Sequence, residues 1–451
     1  MYESRKGLAG LPGKDLRKLE DFIILLYRSV ESSKNMDIMS SAKTENRFSS
    51  GTHVAKKRLG VLIGGSGLIG GTLVHYFKTR TADEIEIRAP SSKKLSIRNS
   101  EDIKTYLVRV RPDFVINSSV AALDSDAQLA FEVNYLGSVN LARACCALGI
   151  PYIHFSSAAA LPDGENLSED DHLPLSASLT HYAKSKLMTE RTLRHMGREQ
   201  GLDFTIIRLA IVYGEHDHKI MGFHRLFFSI ADEAMPFMIT KKGVKHSYTN
   251  ANTIPYFVHH ALDHRQEFSG ETYHVVDRDP VELDDLILTI RSYLELKRPW
   301  EIYVPYPVIR SGKMFLQWFA NVLNWFGINV RLPPELIFLE HFYKSQTLSN
   351  EKMRNSSFKD PFPDETVYTV LPRLVVYYLE RWGHLNLITT FNEEFLGNFI
   401  FEDEFNNKPR DLVNSIHADS VSPYPEMIEL RKSPQQDDRY GSLHEQENRE
   451  R

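Results

Sequence analysis

A glycine-rich turn between a strand and a helix constrains the fold of this chain more than any other feature. The segment Ile63–Gly70 reads IGGSGLIG, directly after an apolar run over 58–63 and before a helical pattern over 68–78. Glycines let the backbone turn tightly and approach a pyrophosphate, whose charge then lies at the helix N-terminus. In this strand–turn–helix setting the segment predicts a dinucleotide site. The predicted cofactor contacts in the turn are Gly64, Ser66, Gly67, Leu68, Ile69 and Gly70.

The rest of the central chain alternates short apolar runs with helical patterns. Extended segments are expected over 84–88, 113–117, 152–156 and 204–209, and helices over 101–110, 127–148 and 180–199. Such alternation predicts a parallel sheet with helices on both faces. After Gly214 it weakens to one strand–helix pair, over 273–277 and 283–294. We therefore predict an α/β protein, with a Rossmann-type doubly wound parallel sheet and a smaller C-terminal substrate-binding part.

The domain boundaries are predicted from the same pattern. Residues 58–215 are expected to form the dinucleotide-binding Rossmann domain, with a late strand near 270–280, and residues 216–385 the substrate-binding part. Residues 1–57 are expected to be a largely disordered N-terminal extension. Residues 386–451 form a C-terminal tail, expected to be disordered from about 402, because acids, Asn, Gln and Ser replace the apolar periodicity there.

Composition argues against several classes of function. The chain has 54 Lys+Arg against 59 Asp+Glu, a net charge of −5, whereas a nucleic-acid binder needs a basic stripe. The only cysteines, Cys145 and Cys146, are adjacent, so a disulfide framework is not expected and a reducing, cytoplasmic location is. No metal site is expected, because histidine pairs such as His259 and His260 lack a matching cysteine or carboxylate pattern.

An apolar segment over 314–330 is interrupted by Gln317, Asn321 and Asn324. At helical spacing these polar residues can form one face of an amphipathic helix. The favoured interpretation is a helix that is buried, covers the substrate or packs in a homodimer. Peripheral contact with a membrane is the less favoured alternative.

The end of the second predicted strand bears on the choice between NAD and NADP. NAD sites usually carry an acidic residue there, which binds the ribose hydroxyls. Here the strand ends in Arg88, and Lys93 and Lys94 follow. A cation suits the 2′-phosphate of NADP, so NADP is favoured over NAD with Arg88 as its ligand. The alternative is that Glu86 faces the ribose.

A second motif places a phenol and an ammonium group on one helix face, because Tyr182 and Lys186 are four residues apart. A lysine near a phenol favours the phenolate and lowers the phenol pKa. The tyrosine can then exchange a proton with a carbonyl or hydroxyl group while hydride moves to or from nicotinamide. Tyr-x-x-x-Lys alone is common, but here Ser156 and Ser157 end a predicted strand upstream.

In this order, the glycine-rich turn, the two serines and the segment His181–Lys186 resemble the extended short-chain dehydrogenase/reductase family, the NAD-dependent epimerase/dehydratase group. Asn134 matches the structural asparagine of that family. The resemblance covers roughly residues 58–385. Further segments that resemble the family are Arg208–Gly214, Gly270–Asp277 and Ser345–Arg354.

The resemblance implies roles for single residues. Tyr182 would be the general acid/base, Lys186 would bind the nicotinamide ribose and tune Tyr182, and Ser157 would hydrogen-bond the reacting oxygen. Gly64, Gly67 and Gly70 would form the pyrophosphate loop. The implied function is that of an NAD(P)-dependent oxidoreductase or epimerase, which transfers hydride between nicotinamide and a keto or hydroxyl carbon of a nucleotide-sugar-like substrate.

Departures from the family pattern narrow this expectation. Ala158 and Ala159 follow Ser157, where family dehydratases carry an Asp-Glu pair, which argues against dehydration. Ser96 stands where many members have an aspartate that faces the adenine. One alternative is an enzyme like 3β-hydroxysteroid dehydrogenase acting on an apolar alcohol, which the aromatic segment 303–330 favours. Another is a non-catalytic regulatory protein that binds the cofactor, although the intact catalytic set argues against it.

Overall fold

The computed structural model describes residues 57–121, 125–176, 179–217, 222–231, 237–238, 242–294, 296–301, 305–325 and 342–384. The disorder expected at the two ends falls on residues outside these ranges and stays a prediction. The chain divides into two compact units, residues 1–381 and 382–451. The predicted domain boundary at residue 215 also stays a prediction.

Strands and helices alternate along residues 58–213, as the hydrophobic pattern predicts. The strands are β1 Arg58–Ile63, β2 Ile85–Arg88, β3 Phe114–Asn117, β4 Tyr152–Ser157, β5 Gly164–Leu167, β6 Phe204–Leu209 and β7 Ile211–Tyr213. The helices are α1 Leu68–Thr79, α2 Ser100–Val110, α3 Ala127–Ala130, α4 Ser138–Leu148 and α5 His181–Gln200.

After β7 most strands are short and the order is less regular. The strands are β8 Phe237–Met238, β9 Lys245–His246, β10 Tyr248–Asn250, β11 Glu271–Val275, β12 Val281–Glu282, β13 Trp300–Glu301 and β14 Gln346–Leu348. The helices are α6 Gly222–Ala231, α7 Thr253–Asp263, α8 Arg265–Phe268, α9 Leu283–Tyr293, α10 Tyr306–Trp325, α11 Glu351–Asn355 and α12 Val367–His384.

Six strands form one parallel sheet in the order β11-β6-β4-β3-β1-β2. The chain passes from β1 to β2 on one side and then to β3 on the other, so the strand order reverses at β1. In open α/β sheets, ligands bind outside the carboxyl ends of the strands at such a reversal. The Rossmann-type prediction is confirmed. Smaller sheets, β7 with β10, β8 with β13 and β12-β9-β14-β5, accompany this sheet.

Helices pack on both faces of the sheet, because its central strands are apolar on both sides. On one face, Phe77 of α1 and Phe257 of α7 share a buried cluster with Phe155 of β4. On the other face, Leu141 of α4 shares a cluster with Tyr152 of β4. The core therefore fixes β4, whose carboxyl end carries the predicted serine, from both sides.

The helix predicted over 127–148 has the right position but is not one α-helix. Residues Phe131–Gly137 form a π-helical segment between α3 and α4. Asn134 in this segment accepts a hydrogen bond from the Ala121 backbone N–H (2.8 Å) and donates one to Ser185 Oγ (3.3 Å). Asn134 thus links the loop after β3 to α5, which is consistent with the structural role that the family resemblance implies.

The structure of the apolar segment over 314–330 differs from the buried helix that the sequence favours. Helix α10 begins at Tyr306, before the predicted start, with Pro307 in its first turn, where the missing N–H removes no helical hydrogen bond. Met314, Phe315 and Trp318 are exposed, so the expectation of a buried helix is wrong for these residues. Residues 326–330 of the segment lie outside the described part of the chain. None of the described helices is long and apolar enough to cross a membrane.

Candidate active site

The glycine-rich turn connects β1 to α1 at the point where the strand order reverses. Gly64 has a φ of 88°, a left-handed conformation that favours glycine. A Cβ on Gly70 would overlap the carbonyl oxygen of Gly64, so this close backbone approach also requires glycine. At Gly67, by contrast, an added Cβ would lie 3.8 Å from its nearest neighbour, the carbonyl oxygen of Gly64. Packing therefore explains Gly64 and Gly70, and it leaves space at Gly67.

The start of α1 offers the donors that a pyrophosphate needs. The first N–H groups of an α-helix have no intrahelical acceptor. Among the described residues, no side chain caps α1 at Gly67. The positive end of the helix dipole adds a favourable field for an anion. The room for a Cβ at Gly67 and these donors fit the pyrophosphate of a dinucleotide.

Arg88, the predicted ligand of the 2′-phosphate, ends β2 close to this turn. A Cβ on Gly65 would lie 2.7 Å from the Cβ of Ala89, so the end of β2 and the turn are in contact. Arg88 Nε pairs with Glu86 Oε1 at 2.8 Å, and both side chains are about half exposed. Such a pair contributes about 1 kcal/mol or less. Arg88 can therefore exchange Glu86 for another anion at little cost.

Helix α5 carries the tyrosine and the lysine of the second motif. Thr180 caps the helix, because its Oγ1 accepts a hydrogen bond from the Ala183 backbone N–H at 3.2 Å. This cap fixes the start of the helix at His181 and places Tyr182 in the first turn. Lys186 follows one turn later on the same face.

The three predicted catalytic residues meet at the carboxyl end of β4. Ser157 is the last residue of β4, and its side chain lies beside that of Tyr182. Lys186 Nζ lies 5.9 Å from the centroid of the Tyr182 ring and donates a hydrogen bond to the carbonyl oxygen of Phe155 at 2.8 Å. Ser157 Oγ also accepts a hydrogen bond from the Ala159 backbone N–H at 3.2 Å. The strand and the helix therefore bring together a hydroxyl, a phenol and an ammonium group.

Burial controls the protonation of these groups. Burial raises the pKa of Tyr182, and the side chain of Ser157 offsets only part of this rise. Burial lowers the pKa of Lys186 to about 8, although the nearby carboxylate of Glu190 acts in the opposite direction. The expectation that Lys186 lowers the pKa of Tyr182 below its ordinary value is therefore wrong for this structure. At neutral pH the phenol is protonated and Lys186 is mainly charged.

A buried ion pair that was not predicted from the sequence adjoins the predicted catalytic residues. Glu190, one turn after Lys186, and Arg208 of β6 have fully buried side chains. Two hydrogen bonds join them, Arg208 Nε to Glu190 Oε1 at 3.0 Å and Arg208 Nη2 to Glu190 Oε2 at 2.7 Å. Ser156 Oγ donates to Glu190 Oε1 at 2.5 Å. Because Ser156 precedes Ser157, the pair connects the end of β4 to the helix that carries Tyr182.

Arg208 also connects this ion pair to β11 and to the loop after β5. Its Nη1 donates to the carbonyl oxygen of Glu169 at 2.9 Å and contacts Nε2 of His274 at 3.2 Å. Burial and the charge of Arg208 lower the pKa of His274 to about 3, so the imidazole is neutral and its Nε2 can accept. The other ring nitrogen, Nδ1, then donates to the carbonyl oxygen of Ser349 at 3.0 Å. The guanidinium of Arg208 thus has hydrogen-bond partners in α5, in β11 and in the loop after β5.

Relatives of the chain are found among curated proteins. It is 23% identical to the GDP-L-fucose synthase of Dictyostelium discoideum over 266 residues, which cover 54% of this chain and 82% of that protein. It is 28% identical to a probable low-salt glycan biosynthesis reductase of Haloferax volcanii over 163 residues. That match covers 34% of this chain and 52% of the reductase.

The comparisons with solved structures and with protein families agree with the motifs. A GDP-L-fucose synthetase from Naegleria fowleri has a similar fold, with a TM-score of 0.52 and 15% identity over 75% of this chain and 98% of that chain. The sequence model of the NAD dependent epimerase/dehydratase family matches residues 61–273, which include the glycine-rich turn, Ser157, Tyr182 and Lys186. Over residues 61–273 the chain is therefore similar to the NAD dependent epimerase/dehydratase family.

Proposed function

We propose that the protein is an NAD(P)-dependent reductase that transfers hydride to a keto carbon of a nucleotide-sugar-like substrate. The observation that carries this proposal is the meeting of Ser157, Tyr182 and Lys186 at the end of β4, in a chain whose glycine-rich turn fits a pyrophosphate. Similarity to a GDP-L-fucose synthase and to a glycan biosynthesis reductase supports the sugar-nucleotide class of substrate. Reduction is the reaction we propose, because burial raises the pKa of Tyr182 and so favours a phenol that can donate a proton to a carbonyl oxygen.

The residues of the site have separate tasks in this reaction. The bound nicotinamide cofactor supplies the hydride. Tyr182 donates its phenolic proton to the oxygen of the substrate carbonyl, and Ser157 holds the same oxygen by a hydrogen bond. The positive charge of Lys186 stabilises the phenolate that is left on Tyr182. The turn over 64–70 would hold the pyrophosphate, Lys186 the nicotinamide ribose and Arg88 a 2′-phosphate.

The choice of cofactor is tested at Arg88. We expect Arg88→Ala to weaken NADPH binding by about tenfold, the effect of losing one exposed charge-assisted hydrogen bond of about 1.4 kcal/mol. NADH binding should not change, because NADH has no 2′-phosphate. The measurement is a fluorescence titration of the purified protein with each cofactor, and Arg109→Ala, another exposed arginine, is the matched control. Equal or tighter binding of NADH than NADPH by the wild type would contradict the preference for NADP.

The reaction itself is tested by a substrate screen with the purified full chain and NADPH. We expect at least one nucleotide-linked keto sugar to be reduced, with one NADPH oxidised for each molecule of product. Apolar ketones such as ketosteroids serve as the competing class of substrate. An epimerised sugar without net cofactor oxidation would identify an epimerase instead. Binding of NADPH without turnover of either class would contradict the proposal and favour a non-catalytic protein.

A further inference from the structure

Helix α10 exposes one apolar side. Val308, Met314, Phe315 and Trp318 are 59%, 61%, 60% and 59% exposed. At about 100° per residue they lie within an arc of about 120° around the helix axis, and we call them the apolar face of α10. Isolated exposed apolar side chains are ordinary, but a contiguous face of this kind marks a surface that another body covers.

The opposite side of α10 is attached to the rest of its unit. Tyr306 lies on that side, is half-buried, and packs against Tyr343 with ring centroids 5.7 Å apart. Lys344 Nζ lies 5.6 Å from the centroid of the Tyr306 ring. The helix is therefore anchored at its first residue, with the apolar face on the side that points away from this contact.

The chemistry of the segment fits a lipid surface. The sequence over 306–325 contains Arg310 and Lys313 and no acidic residue, which suits anionic headgroups. Lys297 and Arg298, just before the helix in sequence, are exposed. Trp318 supplies an aromatic ring of the kind enriched at the boundary between headgroups and acyl chains. Cations and aromatic residues along an amphipathic helix are typical of helices that lie in a membrane interface.

A second copy of the chain fits this face less well. The exposed parts of its four side chains amount to roughly 500 Å², if a large side chain has about 150–250 Å² in total. A stable protein–protein interface buries about 800 Å² on each partner.

We propose that the apolar face of α10 inserts into the surface of a bilayer that contains anionic lipids, so that the protein binds membranes peripherally. Apolar side chains provide the burial, and the basic residues of the segment provide attraction to the headgroups. This inference does not depend on the proposed reaction.

The test is sedimentation of the full chain with vesicles of phosphatidylcholine alone or of equal parts phosphatidylcholine and phosphatidylglycerol. We expect the wild type to pellet with the anionic vesicles and much less with the neutral ones. The double variant F315S/W318S should bind the anionic vesicles at least about tenfold less tightly, because two apolar side chains are lost. The control V108S/L148S removes two exposed apolar residues outside α10 and should bind like the wild type.

Three results would overturn the proposal. In the first, the wild type stays in the supernatant with both kinds of vesicle. In the second, F315S/W318S pellets as well as the wild type, although thermal unfolding shows that both are folded. In the third, sedimentation velocity shows a dimer that F315S/W318S dissociates, with no vesicle binding, which would identify a second copy as the occupant.

Discussion

Tyr182→Phe is expected to lower kcat by roughly 10²–10⁴-fold, the usual contribution of a positioned general acid. The variant loses the phenolic proton but keeps the ring that packs beside Ser157 and Lys186. Hydride transfer to a carbonyl then leaves the developing negative charge on oxygen without a proton donor. NADPH should still bind with nearly unchanged affinity, because the turn over 64–70 and Arg88 are untouched. The measurement combines steady-state kinetics on the substrate found in the screen with a cofactor titration.

Tyr135→Phe is the matched control for this variant. The Tyr135 hydroxyl also makes a side-chain contact to α5, 3.3 Å from Thr192 Oγ1, but it lies outside the catalytic group. Its removal should leave kcat close to that of the wild type. If Tyr182→Phe retained wild-type kcat, Tyr182 would not be the proton donor. If it lost NADPH binding as well, the tyrosine would act in cofactor binding rather than in catalysis.

Much of the fold could be predicted because its signals are local. The strand–turn–helix unit around 58–78 has its apolar residues, its glycines and its helix in one short stretch of sequence. The same holds for Tyr182 and Lys186, whose spacing alone puts them on one helix face. The link from these residues to Ser157 required the family resemblance. Neither spacing nor composition shows that the end of β4 lies beside the first turn of α5.

The parts that could not be predicted depend on contacts between distant segments. Glu190 continues the four-residue spacing of Tyr182 and Lys186, so the sequence predicts that it lies on the same helix face. The sequence does not predict its partners, because Arg208 and His274 belong to other elements and come together only when β6 and β11 pair. The raised pKa of Tyr182 could not be predicted for the same reason, since burial is a property of the assembled core.

The helices show a similar limit at the level of their geometry. The pattern over 127–148 is helical throughout, yet Phe131–Gly137 is a π-helical segment, in which Asn134 bonds outside its own helix. In α10 the apolar residues indicated burial, because periodicity shows that residues share a face but not what that face contacts. Only the structure shows that this face is exposed.

Arg208→Met is expected to reduce the free energy of unfolding by about 3–5 kcal/mol, the usual result of removing one partner of a buried ion pair. The carboxylate of Glu190 would stay buried without its guanidinium, which also held it to β6. Arg194 Nη2, 3.6 Å from the same carboxylate, should keep the loss near the lower end of this range. The measurement is equilibrium urea unfolding at neutral pH. Arg58→Met is the control, because Arg58 pairs with Asp263 at the surface. This substitution should lower the free energy of unfolding by about 1 kcal/mol or less.

The pH dependence of this loss distinguishes charge from packing. Burial tends to raise the pKa of Glu190, but the hydrogen bonds and the charge of Arg208 hold it below the ordinary value. The pair therefore stabilises the wild type fully above the unfolded-state pKa, and this contribution is lost as pH falls through the folded-state pKa. In Arg208→Met, the hydrogen bonds and charge that oppose the effect of burial on the pKa of Glu190 are lost. Glu190 therefore takes up a proton at higher pH, and protonation removes the free-energy penalty of a buried unpaired charge. The difference in stability between wild type and variant should thus shrink from neutral pH towards about pH 4.

The double variant Glu190→Gln/Arg208→Met should recover part of the loss at pH 7, since no unpaired charge remains buried. A loss that is constant with pH, and that the double variant does not relieve, would mean that Arg208 acts through its packing alone.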